Sequence, residues 1–252
     1  MPKTIVVLPA YNEAASLPAL LDRFAAMLGA GDRLWEIVAV NDGSTDATGD
    51  ILDRARDRLP LVRVDHERNR GLGPALKTGL RCALERAASP DDVVVCLDAD
   101  NTHDPEYIAE MVRRIEAGAD LVIASRYRRG SRQVGVPLSR RLLSLGARSV
   151  FAVFLRLPGV RDYTCGYRAY RAALLRNGFE RYGDGLIERS GFACTDELLV
   201  HLAAFSPRIE EIPFVLRYDR KRGASKLPLW QTVLATLRLL LHHKKTTMND
   251  ER

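Results

Sequence analysis

The sequence predicts an α/β fold in which a mostly parallel central sheet is flanked by helices. Between residues 4 and 125, short runs of β-branched residues alternate with segments whose apolar residues repeat at helical spacing. This alternation favours parallel strands, because each helix returns the chain to the same starting edge of the sheet. The length of 252 residues, with 46% hydrophobic and 28% charged residues, is typical of a globular α/β chain with a substantial core.

The first half of the chain contains five predicted strands and four predicted helices. The strands are expected at residues 4–8, 35–40, 62–65, 92–97 and 121–125, and the helices at 14–28, 47–58, 74–87 and 105–117. Asp46 is a suitable N-cap for the second helix, and Pro105 suits the first turn of the fourth.

The second half has a different pattern. We expect a basic segment at 126–137, an amphipathic helix at 138–157, a polar and irregular segment at 159–170, and a strand at 209–216. The helix should bury Leu142 and its apolar neighbours. No repeat or flexible linker separates the two halves, so we expect one domain over residues 1–227 with halves 1–125 and 126–227. An amphipathic helix at 228–245 and a flexible tail at 246–252 should follow.

Charge and cysteine usage narrow the possible environments and partners. A net charge of +6 and a pI of about 9.3 favour contact with anions, which leaves nucleic acid, an anionic membrane surface or phosphorylated small molecules open. The four cysteines are scattered without a zinc-ligand spacing, which indicates free thiols in a reducing compartment. The first apolar run is too short for a signal peptide, so a cytoplasmic location is expected.

Two carboxylates directly follow a predicted buried strand. Asp98 and Asp100 are separated by one small residue and lie where ligands bind in open α/β sheets, beyond the carboxyl ends of the strands. Such a pair can bind Mg²⁺ or Mn²⁺, which prefer oxygen ligands and bridge readily to phosphates. A solvated turn with a helix-capping aspartate is the structural alternative.

Polar clusters also follow the first two strands, at residues 9–13 (PAYNE) and 41–46 (NDGSTD). All three clusters are therefore expected at one edge of the sheet. The Asp42 carboxylate can accept a hydrogen bond from a nucleobase, and Gly43 permits close backbone approach. A simple capped turn remains the alternative for this segment.

Two basic features lie in the second half. Arg140, Ser144 and Arg148 share one helix face at four-residue spacing, which suits either a phosphate or ordinary solvent exposure. The segment 217–226 carries five basic residues and either closes over a diphosphate or forms a solvated loop.

In order and spacing, PAYNE, NDGSTD, RNRGLGPALKTG (68–79) and DAD (98–100) resemble glycosyltransferase family 2, which has the GT-A nucleotide-sugar-binding fold. Residues 124–127, Arg140 with Ser144, residues 162–168 and residues 222–227 resemble its dolichyl-phosphate mannose synthase branch, which transfers sugars to polyprenyl phosphates. The resemblance implies a nucleotide-sugar-binding half at 1–125 and an acceptor-side half at 126–227.

The resemblance also implies the roles of individual residues. The metal ligands are Asp98 and Asp100, and the acceptor phosphate is bound by Arg126, Arg140 and Ser144. The nucleotide-sugar site comprises Pro9, Ala10, Tyr11, Glu13, Asp42, Lys77, Asp98, Ala99, Asp100, Arg222 and Lys226. The catalytic set comprises Asp98, Asp100, Arg126, Asp196 and Glu197. The chain departs from the branch at Thr102, where a glutamine often joins the metal.

We therefore expect an inverting, metal-dependent transfer of a hexose from a GDP- or UDP-sugar to a polyprenyl phosphate. A soluble hydroxyl acceptor is the alternative; it requires a base, for which Asp196 and Glu197 are the candidates, although helix capping also explains them. A third possibility is a nucleotide-sugar-binding module without turnover. The strand-end acids disfavour nucleic acid as a partner. The helix at 228–245 packs on the domain, lies at the membrane face, or docks on a membrane-anchoring subunit.

Overall fold

A computed structural model describes residues 2–29, 35–154, 157–191 and 193–222. The strands are β1 (Thr4–Ala10), β2 (Trp35–Asp42), β3 (Leu61–His66), β4 (Val93–Cys96), β5 (Leu121–Ser125), β6 (Arg132–Val134), β7 (Arg168–Arg171), β8 (Ile209–Pro213) and β9 (Val215–Arg217). The helices are α1 (Leu17–Gly29), α2 (Thr48–Ala55), α3 (Leu72–Arg86), α4 (Ile108–Glu116), α5 (Leu138–Phe154), α6 (Ala172–Tyr182) and α7 (Ala193–Ala203). Short 3₁₀ helices occupy Pro105–Tyr107, Gly183–Leu186 and Tyr218–Arg220. Lys226 and the predicted helix and tail at 228–252 lie outside the described residues.

The predicted α/β architecture is confirmed. Seven strands form the main sheet in the order β3-β2-β1-β4-β7-β5-β8, and β6 and β9 form a small second sheet. Strands β3, β2, β1 and β4 are parallel neighbours, as are β5 and β8. Every residue of β4 and β5 is buried, which is the pattern of sheets covered on both faces. The carboxyl ends of β1, β2 and β4 therefore share one edge.

Strand β7 corrects the prediction that residues 159–170 are irregular. It lies between β4 and β5 and is antiparallel to both. Its four residues, RAYR, do not alternate between apolar and polar side chains as those of a half-buried strand do. The charged Arg168 is nevertheless fully buried. The Arg168 guanidinium donates through Nη1 to the Thr195 carbonyl at 2.6 Å and through Nη2 to the Tyr163 carbonyl at 2.5 Å. A buried arginine therefore lies where the sequence pattern marks an exposed one. Helices α6 and α7, which follow β7, were not predicted.

The predicted strand at 209–216 is two strands that belong to different sheets. Strand β8 pairs with β5, whereas β9 pairs with β6. Pro213 ends β8 and has no N–H to donate to a ladder. Phe214, between the strands, is buried, and its carbonyl accepts from the backbone N–H of Arg132 at 3.2 Å. The chain thus passes from one sheet to the other within two residues.

Helix starts follow the predicted chemistry with small shifts. Helix α2 begins at Thr48 with Ala47 at the N-cap position, not Asp46. Asp46 still binds the first turn, since its Oδ1 accepts from the Thr48 N–H at 2.9 Å and from the Thr48 hydroxyl at 2.5 Å. Pro105 lies in the first turn of its 3₁₀ helix, as predicted.

Close packing of α3 on the sheet depends on one glycine. A Cβ at Gly79 would lie 2.4 Å from Val7 Cγ1 and 3.2 Å from Val40 Cγ2, in the middle of β1 and β2. Both valines are fully buried and have stiff β-branched side chains. Helix α3 can therefore approach the sheet this closely only with glycine at the contact.

We expect Gly79→Ala to lower the free energy of unfolding by about 1–3 kcal/mol, because the added methyl overpacks the contact between α3 and the sheet. Gly146→Ala in α5 is the matched control, since a Cβ at Gly146 would have nothing within 4 Å of it. That change should instead stabilise by about 0.5–1 kcal/mol through helix propensity. Urea denaturation measures both; a Gly79→Ala protein as stable as Gly146→Ala would contradict the close packing.

Candidate functional site

The Asp98–Asp100 pair lies directly beyond β4. The strand pairing continues one residue further, since the Leu97 N–H donates to the Val7 carbonyl at 3.3 Å. The turn that follows places Asn101 at a positive φ of 63°. The Asp98 side chain is 40% exposed and that of Asp100 is 11% exposed. Asp100 is thus nearly buried, whereas Asp98 is partly open to solvent at this edge of the sheet.

Both oxygens of Asp100 already have partners. Oδ1 accepts from the Thr102 backbone N–H at 3.1 Å and from the Thr102 hydroxyl at 2.7 Å. Oδ2 accepts from the Lys221 ammonium at 2.5 Å. Burial acts to raise the pKa of Asp100, but the charge of Lys221 and these hydrogen bonds outweigh it, so the pKa lies below its usual value. Asp100 is therefore held as a carboxylate.

Asp98 has a different environment. Desolvation in the packed turn raises the pKa of Asp98, and the charge of Asp100 adds to this effect. Asp98 donates its backbone N–H to His103 Nδ1 at 3.3 Å. The His103 ring stacks on Tyr167 at a centroid distance of 5.1 Å and meets Phe214 edge-on at 5.8 Å. The sequence motifs give His103 no role, yet this packed ring fixes the backbone of the carboxylate turn.

Asp42, at the end of β2, ties several segments together. Its Oδ1 lies 2.6 Å from His66 Nδ1 and accepts from the Arg70 N–H at 3.0 Å, while Oδ2 accepts from the Gly71 N–H at 2.8 Å. His66 Nε2 lies 3.0 Å from the Thr78 hydroxyl of α3. The carboxylate is 3% exposed at the residue level. His66, to which the sequence motifs give no role, is the residue that orients Asp42.

The turns after β1 and β2 interlock. Asn12 has a positive φ of 50°, its backbone N–H donates to the Ser44 hydroxyl at 3.0 Å, and its Oδ1 accepts from the Thr45 N–H at 2.8 Å. The Glu13 N–H donates to the Thr48 hydroxyl at 2.8 Å.

At Gly43, with φ of 65°, a Cβ would lie 2.3 Å from the backbone of Arg68. Pro9, Ala10, Tyr11 and Glu13, all buried or half-buried, are thereby placed beside Asp42.

The residues present fit a divalent metal that retains other oxygen ligands. Among the described residues, no group of three or more His, Cys, Asp or Glu side chains is arranged to hold a metal ion. Asp98 and Asp100 supply oxygen only, which suits Mg²⁺ or Mn²⁺, and such ions commonly take one or two carboxylates plus substrate phosphates and water. A cation already lies against Asp100, namely the Lys221 ammonium. The donor set therefore matches an ion that takes its remaining oxygen ligands from water or from a bound molecule.

Arg126 is paired within the protein. Its Nε and Nη2 donate to both oxygens of Asp162 at 2.8 and 2.6 Å, and Nη2 also donates to the Thr164 hydroxyl at 2.6 Å. The Asp162 side chain is fully buried and that of Arg126 is 15% exposed. Burial acts to raise the pKa of Asp162, but the guanidinium outweighs it, so this pKa lies below the usual range. The pair locks the end of β5 to the segment before β7.

The predicted polar face of α5 turns toward the protein. The Ser144 hydroxyl lies 2.7 Å from the Tyr127 hydroxyl. The Arg148 guanidinium stacks over the Tyr127 ring at 4.8 Å, and that of Arg140 over the Tyr218 ring at 5.3 Å. Ordinary solvent exposure therefore does not describe this face. It forms a second polar surface next to Arg126, whose guanidinium also lies over the Tyr127 ring, at 5.5 Å.

Other predicted site residues are engaged elsewhere. Lys77 donates to the Asp184 carbonyl at 3.0 Å. Glu197 is buried, and its Oε2 accepts from the backbone N–H groups of Glu188 and Arg189 at 2.9 and 3.0 Å. Asp196 is also buried, in the first turn of α7. This turn borders the carboxylates, because a Cβ at Gly166 would contact both Thr195 Cγ2, at 3.5 Å, and Asp98 Oδ1, at 3.9 Å.

The segment 217–222 passes beside the Asp98–Asp100 turn. The Arg217 N–H donates to the Thr102 carbonyl at 3.0 Å, and the Arg220 guanidinium donates to Asp104 at 2.7 Å. The Arg222 N–H and carbonyl both bond the Ser16 hydroxyl, at 3.2 Å each. Arg222 thus reaches the start of α1 through its backbone, and Lys221 lies over the carboxylates between these anchors.

Comparison with known proteins agrees with this geometry. A model of glycosyl transferase family 2 matches residues 5–179. The chain is 34% identical over 226 residues to undecaprenyl-phosphate mannosyltransferase of Micrococcus luteus, which covers 89% of this chain and 87% of that protein. It is 33% identical to polyprenol monophosphomannose synthase of Mycolicibacterium smegmatis, with 89% and 81% covered. It is 31% identical to dolichol-phosphate mannosyltransferase of Pyrococcus furiosus, with 89% and 59% covered.

Solved structures show the same fold. Glucosyl-3-phosphoglycerate synthase of Mycobacterium tuberculosis, in complex with Mn²⁺, UDP and glucosyl-3-phosphoglycerate, superposes with a TM-score of 0.70. The match covers 96% of this chain and 80% of that one, at 23% sequence identity. A further complex of that enzyme, with Mn²⁺, UDP-glucose and phosphoglyceric acid, gives a TM-score of 0.69.

We expect Asp162→Asn to lower the free energy of unfolding by about 3–5 kcal/mol, because it leaves a nearly buried guanidinium without its anionic partner. Asp91→Asn is the matched control, since Asp91 also pairs with an arginine, Arg171, but its side chain is 67% exposed. That change should cost less than about 1 kcal/mol. If urea denaturation gives the two variants equal losses in the free energy of unfolding, the buried Arg126–Asp162 pair is no more important for stability than an exposed pair.

Proposed function

Because the chain belongs to glycosyl transferase family 2, we propose that this glycosyltransferase moves a hexose from a GDP- or UDP-sugar to a polyprenyl phosphate. The observation that carries the proposal is the placement of Asp98 and Asp100 at the same sheet edge as Asp42. This edge offers a nucleoside site and a cation site in one cleft. The polyprenyl phosphate acceptor is drawn from three relatives whose names specify prenyl-phosphate acceptors.

Asp98 and Asp100 are the proposed ligands of Mg²⁺ or Mn²⁺. When bound there, the ion would neutralise the charge that develops on the departing nucleoside diphosphate. Pro9, Tyr11, Glu13 and Asp42 are proposed to hold the nucleoside, with Ala10 and Ala99 lining the same edge. Arg222 would lie near the diphosphate, and Lys77 and Lys226 are further donor-side candidates.

We propose that Arg126, Arg140 and Ser144 receive the acceptor phosphate. Arg126 and Ser144 both contact Tyr127, and Arg140, one turn before Ser144 on the same face of α5, lies over the Tyr218 ring. A positive surface with hydroxyl donors suits a phosphate monoester. Inversion follows if this phosphate attacks the anomeric carbon directly from the face opposite the diphosphate. One phosphate oxygen then forms the new bond as the bond to the diphosphate breaks.

The state of Glu197 favours a phosphate over a hydroxyl acceptor. A sugar hydroxyl needs a base to take its proton in the transition state, whereas a phosphate is already an anion at neutral pH. Glu197 uses Oε2 to anchor two backbone N–H groups and places Oε1 3.7 Å from Arg189 Nε. A carboxylate committed in this way is a poor proton acceptor. Asp196 remains the candidate base for a soluble acceptor.

The decisive experiment is transfer from labelled GDP- and UDP-sugars to a short polyprenyl phosphate, with Mg²⁺ or Mn²⁺ present. We expect labelled product in the butanol-extractable lipid fraction and loss of transfer when EDTA removes the metal. Donor turnover without labelled lipid would instead support the soluble acceptor. Donor binding without any turnover would support a non-catalytic nucleotide-sugar-binding module.

In the same assay, we expect Asp100→Asn to lower kcat by about 10²–10³-fold, as for other groups that stabilise charge in the transition state. Glu106→Gln is the matched control: this carboxylate is close in sequence but exposed at the surface, so its loss should leave kcat within about twofold. Full metal-dependent transfer by Asp100→Asn would reject the site assignment.

We further propose that α5 rests on the membrane that supplies the acceptor. No described helix is long and apolar enough to span a bilayer. The exposed large hydrophobic side chains of the described residues are instead concentrated in one stretch: Val134, Leu138, Leu142 and Leu145, at 38%, 70%, 62% and 47% exposed. Leu142 was predicted to be buried, but the leucines at this i, i+4, i+7 spacing face solvent, because the opposite face of α5, with Ser144 and Arg148, turns toward Tyr127.

Charge beside these leucines supports a lipid surface as their partner. Arg132 and Arg141 are exposed, and Arg141 donates to the Gln133 carbonyl, which joins β6 to the first turns of α5. Apolar side chains beside exposed arginines are typical of surfaces that bind anionic bilayers. The acceptor phosphate group would then meet Arg140 and Ser144 on the inner face of the same helix.

We expect the double variant Leu142→Gln/Leu145→Gln to bind anionic phospholipid vesicles at least about tenfold more weakly. The reason is that two leucines, exposed in the free protein, would no longer bury apolar surface in the bilayer. Ser149→Gln, at another exposed position of α5, should bind as wild type does. Co-sedimentation measures the affinities. Unchanged binding by the leucine variant would reject α5 as the membrane contact.

A further inference from the structure

The Lys221 ammonium holds the position against Asp100 where a metal ligand bond would form. Its Nζ lies 2.5 Å from Asp100 Oδ2, and the two side chains are 17% and 11% exposed. Charge-assisted contacts of this length in a partly desolvated site are the strong ones. Asp100 therefore has a cationic partner that the chain itself supplies.

Lys221 is delivered to this position by its flanking contacts. It follows the 3₁₀ helix Tyr218–Arg220, and its N–H donates to the Tyr218 carbonyl at 3.2 Å. On one side, Arg220 is bound to Asp104; on the other, the Arg222 backbone is bound to the Ser16 hydroxyl. The segment is thus anchored before and after Lys221, which reduces the entropy cost of holding its side chain on Asp100.

The ammonium and a divalent metal would require the same oxygen. Asp100 Oδ1 already accepts two hydrogen bonds from Thr102, which leaves Oδ2 as the oxygen best placed for a metal. The Lys221 ammonium already donates to this same oxygen. The positive charge of Lys221 is also felt by Asp98 and Glu13, so it offsets the negative potential that would attract an ion. Two cations of charge +1 and +2 repel strongly at contact distance in such a site.

We propose that Lys221 competes with the divalent metal for Asp100, so that the metal binds by displacing the ammonium. The inference rests on the metal site of the proposed function and deepens it. Metal alone then binds weakly, because its gain at Asp98 and Asp100 is offset by the lost Lys221 contact. A donor diphosphate relieves this cost, since it brings oxygens for the metal and a new anionic partner for the displaced ammonium. Metal loading and donor binding are in this way coupled.

The test measures Mn²⁺ binding directly, from the electron paramagnetic resonance signal of free Mn²⁺, with the full chain and no nucleotide. We expect Lys221→Met to bind Mn²⁺ about tenfold more tightly than wild type, a change of about 1.4 kcal/mol. Lys221→Arg keeps the charge at Asp100 and should stay within about twofold of wild type, because the competing contact is retained. Thermal unfolding checks that the variants are folded.

Arg217→Met is the matched control for net charge. Arg217 belongs to the same segment, but its guanidinium pairs with Asp219 and not with Asp100. Its loss removes the same unit of charge and should leave the Mn²⁺ affinity within about twofold of wild type, since an exposed charge pair has little effect at a distance. Equal gains for Lys221→Met and Arg217→Met would overturn the competition and indicate a general charge effect.

Asp100→Asn separates failure of this inference from failure of the proposed metal site. If Asp100→Asn weakens Mn²⁺ binding but Lys221→Met does not strengthen it, the competition is rejected and the metal site stands. If Asp100→Asn leaves Mn²⁺ binding unchanged, the metal is bound elsewhere and both proposals are rejected. Tighter binding by Lys221→Met that is lost in the Lys221→Met/Asp100→Asn double variant supports both.

Discussion

Negative charge collected at the carboxyl edge of the sheet is the constraint on which the rest of the structure depends. Parallel pairing of β1, β2 and β4 brings Asp42, Asp98 and Asp100 to one edge of the sheet, where Asp42 and Asp100 are buried. Carboxylates in such a place are costly unless each has a specific partner. Distant segments supply these partners: His66 and two backbone N–H groups bind Asp42, and Lys221 binds Asp100. The contacts that compensate these charges therefore also hold the loops in place at this edge of the sheet.

Much of the fold and the location of the site could be predicted, because both follow from local pattern. The strands of the first half are continuous β-branched runs, and their observed bounds differ from the predicted ones by only a few residues. Once these strands are parallel, the acids that follow them must meet at one edge. The family could be predicted from four motifs in order and spacing, namely PAYNE, NDGSTD, RNRGLGPALKTG and DAD. The roles of the individual residues stay predictions, since geometry alone does not show what each one binds.

What could not be predicted depends on contacts between distant residues. Strand β7 carries a buried arginine that donates to carbonyls 5 and 27 residues away, so its sequence pattern is that of a loop. Lys221 and Asp100 are 121 residues apart, and the sequence marks Lys221 only as one of several basic residues. Glu197 carries the residue type of a base, but its use as a backbone anchor depends on a loop folded against α7. In each case the tertiary partner decides the role.

The interlocked turns after β1 and β2 limit how this chain can be re-engineered. Asn12 and Glu13 rely on Ser44, Thr45 and Thr48 for their backbone and side-chain hydrogen bonds. A chimaera that takes only one of these turns from a relative with another nucleotide preference would lose the hydrogen bonds between the two turns. Residues 9–16 and 41–48 thus constitute a single exchangeable cassette, although 24 residues lie between them. Under the proposed nucleoside site, a change of donor nucleotide requires both pieces to be exchanged together.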